Sequence, residues 1–357
     1  MNKRMRYILV NSAVPLLFIL ISAVAIPISN FSGMYLLSEI ITRLTRNSFM
    51  VLSLLLPVMA GMGINFGLIL GAMAGQIGLI FVTEWGILGA GGLTVAAIVG
   101  TPIAILFGWF AGNVLNRAKG REMITSMIFG LFMSGIYQFF LLYLCGSIIP
   151  FSRPNLILSR GYGVRNAIDL EVMGGFDNLL KVWVNGIAFP VGTFIIIGVL
   201  CVFTWWFRKT KLGQNMRAVG LDLDVSGSSG IPVEKTRMQA VIISTVLSCY
   251  GQIIYLQNVG SLNTYNGADQ AALFAAAALL VGGATVSRAT VVNGIVGTAL
   301  FHLNFIVMPV AGKNLTGQAM LGEYFRMFVS YGIVTTALIL HAWSRKKNTD
   351  SARAERK

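Results

Sequence analysis

Few side chains in this sequence could carry out covalent chemistry. Its two histidines, His302 and His341, lie far apart, and neither a His-Glu-x-x-His pair nor a Gly-x-Ser-x-Gly elbow occurs. The Gly312-Lys313 pair is followed by asparagine and has no glycine five residues before it, so a phosphate-cradling loop of the GxxxxGK[ST] type is excluded. Cys145, Cys201 and Cys249 sit in or beside apolar runs without CxxC pairing, which indicates neither a disulfide framework nor a metal site. No catalytic residue, metal ligand or cofactor site is expected. What remains is a set of uncharged polar side chains inside apolar runs: Asn65, Gln76, Gln138, Gln252, His302 and Asn304. In lipid such groups are costly and face protein or water. Their commoner use is an interhelix hydrogen bond worth about 1 kcal/mol. Their other use is to line a path for a polar solute, and Asn65, Gln76, Gln138, Gln252 and Asn304 are the candidates. His302 and Asn304, two residues apart, diverge by ~200° on a helix and cannot both face one path.

These side chains must be positioned by membrane helices. The 357 residues are 55% hydrophobic and only 11% charged, whereas a soluble domain is about one quarter charged. A ~30 Å hydrocarbon core takes about 20 apolar residues, so the length allows roughly ten spans and no large soluble domain. The apolar runs place helices at about 7–28, 48–64, 66–82, 88–115, 122–149, 186–206, 238–257, 270–284, 289–310 and 325–343. The first follows MNKRMR without a small-residue cleavage site and reads as a retained span. With both termini in the cytoplasm, most of the 27 basic residues fall in cytoplasmic connections. The net charge of +14 then reports orientation, not nucleic-acid binding. No carboxylate is expected inside a span, Glu84 falling in an outer turn; this weighs against a proton- or sodium-coupled carrier.

Residues 1–343 read as one transmembrane domain and 344–357 as a polar tail. Two connections are long enough to be functional: an outer one over 150–185 and a cytoplasmic one over 207–236. Gly-Gly-Leu-Thr-Val at 91–95 resembles Gly-Gly-Ala-Thr-Val at 282–286, and Ile98-Val-Gly-Thr resembles Ile295-Val-Gly-Thr. These pairs suggest a weak inverted repeat of the kind found in transporters.

The cytoplasmic connection contains TKLGQNMRAVGLDLDVSGSSGI, residues 210–231. Leu212, Met216, Val219 and Leu223 form one apolar stripe of an amphipathic helix. The stripe suits either the membrane interface or the groove of a cytoplasmic partner. The particular residues Thr210, Gly213, Arg217-Ala218-Val219-Gly220 and Gly230-Ile231 resemble the cytoplasmic loop of ABC-importer permeases, in the branch serving ribose, galactose, nucleosides and branched-chain amino acids. Gln214, Asp222 and Val225-Ser226 depart from that pattern. A second stretch, AAAALLVGGATVSRATVVNGIVGTALF, resembles the same family through Gly282, Gly283, Thr285, Arg288 and Gly297, with Ala289 in place of a glycine.

The resemblance implies an all-α integral membrane protein of about ten helices, similar to type II ABC importer permeases, in a prokaryotic inner membrane. It implies that Gly213, Arg217, Ala218, Gly220, Gly230 and Ile231 form a coupling helix that fits a cleft on a separate ATPase subunit. It also implies a second permease chain, identical or not, and an extracytoplasmic solute-binding protein. The function so implied is alternating access for a small polar solute, most simply a sugar, with no enzymatic activity in this chain. A nucleoside or another small solute is the alternative within the family. A stand-alone carrier or channel is the alternative outside it.

Overall fold

The computed structural model describes residues 3–172, 174–285, 288–328, 332 and 335, with side chains from residue 14 onward. In chain order the helices are α1 (Lys3–Ser29), α2 (Gly33–Ser53), α3 (Leu55–Met59), α4 (Leu68–Trp85), α5 (Gly89–Arg117) and α6 (Glu122–Phe139), which continues as a π turn over Phe140–Leu144. Strand β1 (Ala167–Asp169) and the short α7 (Gly175–Leu179) precede a hairpin of β2 (Lys181–Val184) and β3 (Ile187–Pro190). Then come α8 (Val191–Phe207), α9 (Lys211–Leu221), α10 (Leu223–Ser228), α11 (Val233–Val259), β4 (Ser261–Asn263), α12 (Gly267–Val281) and α13 (Val291–Thr316).

Among the described residues, five helices are long and apolar enough to cross a bilayer: α4, α5, α6 with its π turn, α11 and α13. A sixth appears if α8 and α9, which meet at 72°, are taken as one bent span. Ten such helices are therefore not found among the described residues. The stretch Val14–Ser29 of α1 and α12 (Gly267–Val281) are apolar but shorter. The span expected at 325–343 lies mostly outside the described residues, and the tail 344–357 and Val286 and Ser287 lie outside them entirely.

The span expected at 48–64 is broken. Helix α2 begins fifteen residues earlier, at Gly33, and carries Glu39, Arg43 and Arg46, so an apolar scan passes over its first half. At its far end Pro57 has no N–H for the carbonyl of Ser53, and the Ser244 hydroxyl of α11 donates to that oxygen instead (2.8 Å). Left-handed Gly61 and Gly63 then turn the chain into α4. Arg43 and Arg46 thus belong to a helix and not to a connection.

The chain divides into two compact units, residues 41–276 and the described parts of 1–40 with 277–357. In the first, α4, α5 and α11 form the core. With lipid as apolar as leucine, helices associate through close packing of small residues. A methyl on Gly71 or Gly75 of α4 would stand 2.2 or 2.6 Å from a carbonyl oxygen of α11, and one on Gly78 would stand 2.4 Å from the Ala96 carbonyl of α5. The Ser248 hydroxyl of α11 also donates to Leu68 O of α4 (2.8 Å).

At the end of this core where α4 finishes, the 150–190 segment forms an ordered cap. Glu84 accepts from the backbone N–H of Ser152 (2.7 Å), and β1 pairs antiparallel with β4. The buried Asp177 carboxylate accepts from Thr193 and from the side-chain amide of Asn258 (2.9 Å). Glu122, at the start of α6, is buried too. Carboxylates are thus drawn in at helix ends, beyond what the sequence suggested. The run 186–206 is likewise not one helix: residues 187–190 form a strand, and α8 starts only after Pro190.

In the second unit α1 packs on α13 around Ala25, Leu36, Ile306, Val307 and Ala311. A methyl on Gly297 of α13 would stand 2.0 Å from Ala278 O, so that crossing also needs glycine. The two Gly-Gly-x-Thr-Val stretches differ in local structure. Residues 91–95 lie within α5, while 282–285 form the turn after α12. The Ile-Val-Gly-Thr pair is helical at both places, in α5 and α13.

Candidate coupling surface and solute path

The loop resembling a coupling helix is a pair of short helices set across the end of the 41–276 unit. Thr210 caps α9: its hydroxyl accepts from Gly213 N (3.2 Å) and donates to Phe207 O (2.6 Å). Gly213 permits the tight bend after α8, because a methyl there would lie 2.0 Å from Phe207 O. The Asp222 carboxylate caps α10 by accepting from Asp224 N (2.9 Å) and Val225 N (3.0 Å). At the other end left-handed Gly230 donates its N–H to Gly227 O, and Ile231 donates to Ser226 O (both 3.1 Å). Those two bonds make a Schellman closure.

The apolar stripe points inward, which corrects the expectation that it serves a partner or the membrane surface. Met216 and Val219 are buried. Met216 sits in a cluster with Leu56, Ala60, Leu115, Phe207 and Val241, against which Leu212 also packs. Gly220 meets the chain turn after α3 backbone to backbone: a methyl on it would stand 2.2 Å from Met59 O, and one on Gly61 2.8 Å from Gly220 Cα. The outward surface is different in kind. Leu221 is 80% exposed and Val225 61%; Arg217, Asp222, Asp224 and Gly230 are exposed beside them, while Ala218 and Ile231 are half-buried. Of the six coupling candidates, Gly213 and Gly220 thus hold the helix to its own domain, and Arg217 stands on the free face.

Beneath these helices Arg237 of α11 is fully buried and paired with Glu122. Asn116 at the end of α5 donates to Glu234 O (2.9 Å), and Lys119 pairs with the Glu234 carboxylate (3.2 Å). The entry to α11, the α5–α6 turn and the coupling loop are therefore bound together. In the other unit, the second motif turns on a capping box: Thr290 Oγ1 accepts from Asn293 N (3.2 Å), and the Asn293 side chain accepts from Thr290 N (3.1 Å). Thr285 accepts from Arg288 N (3.0 Å) at the same turn.

The five path candidates separate. Asn65 is buried and accepts from Gly67 N (2.8 Å), capping the approach to α4. Asn304 belongs to the other unit, where its amide donates to Ser22 Oγ of α1 (2.7 Å). Gln76 and Gln138 instead face one polar segment, residues 263–269. Gln76 is fully buried; its carbonyl accepts from Tyr137 OH (2.8 Å), and its amide reaches Asn263 O at 3.5 Å. Gln138 donates to Tyr265 O (3.2 Å), and Ser134 donates to the Asp269 carboxylate (2.7 Å). Ser134, Tyr137 and Gln138 share one face of α6. Burial pushes the Tyr265 phenol above its ordinary range, with the Arg160 guanidinium opposing the shift.

Gln252 of α11 is fully buried, and neither its nitrogen nor its oxygen has a hydrogen-bond partner among the described residues. It lies against Gly75, next to Gln76 in the chain, where a methyl on that glycine would approach Gln252 Cβ to 3.2 Å. An unpaired buried amide costs about 1–3 kcal/mol. Sequence reasoning passed over Ser134, Tyr137, Asn263 and Asp269. The i, i+3, i+4 spacing of Ser134, Tyr137 and Gln138 was the signal available for α6.

Among proteins of known kind, the Autoinducer 2 import system permease protein LsrD of Photorhabdus luminescens is 26% identical over 245 residues, covering 68% of this chain and 65% of that protein. LsrD of Escherichia coli (strain K12) is 25% identical over the same shares. The chain thus matches just under two thirds of these relatives' length. No solved structure matches it. Residues 36–338, which include the coupling loop, the polar segment and the Gly-Gly turn, match the family described as Branched-chain amino acid transport system / permease component. The chain belongs to that permease family.

Proposed function

We propose that this chain is the membrane-spanning permease subunit of an ATP-driven ABC importer, carrying a small, neutral, polyhydroxylated solute of the sugar class. One observation carries the reading. The α9–α10 pair is held to the membrane unit by glycines that admit no side chain, while Leu221, Val225 and Arg217 remain on its free face. A lever that transmits a rigid-body motion needs this combination of rigid attachment and open surface. The partner is a separate ATPase subunit that receives this face, with Gly213, Arg217, Ala218, Gly220, Gly230 and Ile231 as the coupling positions. In this reading the α9–α10 end and both termini face the cytoplasm of a bacterium, the chain makes about ten crossings of the inner membrane, and residues 1–343 act as one permease domain. A second permease chain completes the path, and an extracytoplasmic binding protein supplies the solute.

The path draws on Gln76, Gln138 and Gln252, joined by Ser134, Tyr137 and Asp269. Amides, hydroxyls and one carboxylate suit the donor-and-acceptor pattern of a sugar better than they suit a strongly charged ion. The names of the relatives, importers of autoinducer 2, agree with a small solute of this kind. The test is purification of the chain together with its ATPase. Arg217→Glu and Leu221→Asp should leave the fold intact and release the ATPase, whereas unchanged co-purification by both variants would overturn the assignment of this surface.

A further inference from the structure

The hairpin Lys181–Pro190 is the part of the 41–276 unit that neither the coupling loop nor the polar path accounts for. Asn185 and Gly186 both take left-handed backbone angles, which makes a two-residue turn of the kind that favours tight hairpins. Trp183 lies opposite Ala188, and Lys181 opposite Pro190. The first strand does not cover a core. Trp183 is 64% exposed, and Val182, Val184, Leu179 and Leu180 are exposed with it. A hairpin this apolar, standing free in water, is an aggregation hazard.

Its surroundings say what covers it. Strand β3 runs into α8 without a linker, and Ile195, Val199 and Val202 continue the exposed apolar surface along that helix. Seventeen residues of α8 rise only about 25 Å, short of the ~30 Å hydrocarbon core. Three strand residues from Ala188 to Val191 add ~10 Å of backbone rise. With the ~21 Å from Val191 to Trp205, the two tryptophan levels are separated by a chain path matching one hydrocarbon thickness.

Both levels carry the same device. The Lys181 ammonium lies 5.2 Å from the Trp183 ring centre, and the Lys209 ammonium 3.4 Å from that of Trp205, with Trp206 exposed beside it. Tryptophan with a snorkelling lysine is the side-chain pair suited to the boundary between headgroups and acyl chains. We infer that the 181–190 hairpin is a lipid anchor. Its Leu179, Leu180, Val182, Trp183 and Val184 surface enters the membrane boundary opposite the coupling loop, and with the Trp205–Lys209 pair it sets the depth of α8. The occupant of this surface is phospholipid, not a second protein. The inference requires only that the chain spans a membrane, so it stands or falls separately from the ATPase and the solute.

The experiment uses the full chain in vesicles of phosphatidylcholine and phosphatidylglycerol. Trp183 is kept as the sole tryptophan by Trp→Phe changes at 85, 109, 205, 206 and 343, and a partner variant keeps only Trp205. Lipids brominated near the headgroup should quench Trp183 severalfold more than lipids brominated near the chain end, and aqueous iodide should have little effect. Trp205 should show the same ordering. Strong iodide quenching without a bromine response would overturn the anchor, placing the hairpin in water. Protection from both quenchers would also overturn it, because a protein surface would then be the cover. An independent measurement avoids the tryptophan changes: a spin label on Val184→Cys, in a Cys201→Ser background, should collide more with oxygen than with a water-soluble nickel chelate. The reverse ratio would refute the proposal even if the fluorescence variants failed to fold.

Discussion

Replacing Gly220 by alanine tests the docking of the coupling loop through a single methyl group. That methyl would lie 2.2 Å from the Met59 carbonyl oxygen and 3.1 Å from Gly61 N, where ordinary contact begins near 3.4 Å. Both obstacles are backbone atoms, so no side chain can rotate away. Helix α9 would have to withdraw by about 1 Å, loosening Met216 from its cluster, and overpacking of this type costs about 1–3 kcal/mol. At roughly 2–4 °C per kcal/mol for a domain of this size, the thermal midpoint in detergent should fall by several degrees. ATPase coupling should fall with it. Gly227→Ala is the matched control in the same loop, since its methyl would meet nothing closer than Val233 Cγ2 at 3.9 Å. It also gains helix propensity, about 0.5–1 kcal/mol, so it should unfold at or above the wild-type temperature. Scanning fluorimetry of the three proteins decides the matter. If Gly220→Ala melts with the wild type and keeps full coupling, the backbone contact does not position this helix.

Three further outcomes are expected. Arg237→Met should destabilise the chain by about 3–5 kcal/mol because Glu122 is left buried and uncompensated, and adding Glu122→Leu should recover most of the loss; denaturant titration of both reads it, and a double variant as unstable as the single would refute the pairing. Gln252→Leu should raise the thermal midpoint, since it removes two unpartnered buried polar atoms, yet should lower solute uptake; a lower midpoint would mean that the amide is structural. Cys145 is buried, and burial pushes its thiol up to about 11, so at pH 8 about one thiol in 1,000 is ionised. A membrane-impermeant maleimide should leave it unlabelled until denaturant is added, and prompt labelling of the folded chain at that position would contradict its burial.

The glycines of the 210–231 loop, singled out in the sequence by resemblance, meet steric demands that leave little alternative. A residue is glycine at 213 and 220 when backbone comes within van der Waals reach, and at 230 when φ is positive, so pattern and geometry coincide. The amphipathic stripe was legible as a face, but periodicity does not say what a face touches. Met216 and Val219 are satisfied by their own domain. The hairpin was hidden inside an apolar run, although Asn185-Gly186 is a hairpin signal. An apolar stretch beside a helix reads as more helix unless turn chemistry is weighed first. Helix α2 was missed for the opposite reason, because Glu39, Arg43 and Arg46 interrupt its apolar pattern. The polar cluster proposed as a path was half visible. Gln76, Gln138 and Gln252 stand out as amides in lipid, but Ser134 and Tyr137 are common in membrane helices and Asp269 stands just before the apolar run expected at 270–284. Only the return of the chain over 263–269 brings that carboxylate to α6.

On the proposed function, the free face of α9–α10 couples this chain to an ATPase and thereby drives solute across the membrane. Uptake of a radiolabelled sugar should be measured in vesicles holding the chain, its partner permease, its ATPase and its binding protein, with wild-type or Leu221→Asp chain. Leu221 is 80% exposed, so the aspartate should leave the thermal midpoint unchanged while ATP-dependent uptake falls at least tenfold. Uptake by the wild-type chain with the ATPase left out, or undiminished ATP-driven uptake by Leu221→Asp, would contradict coupling through this face.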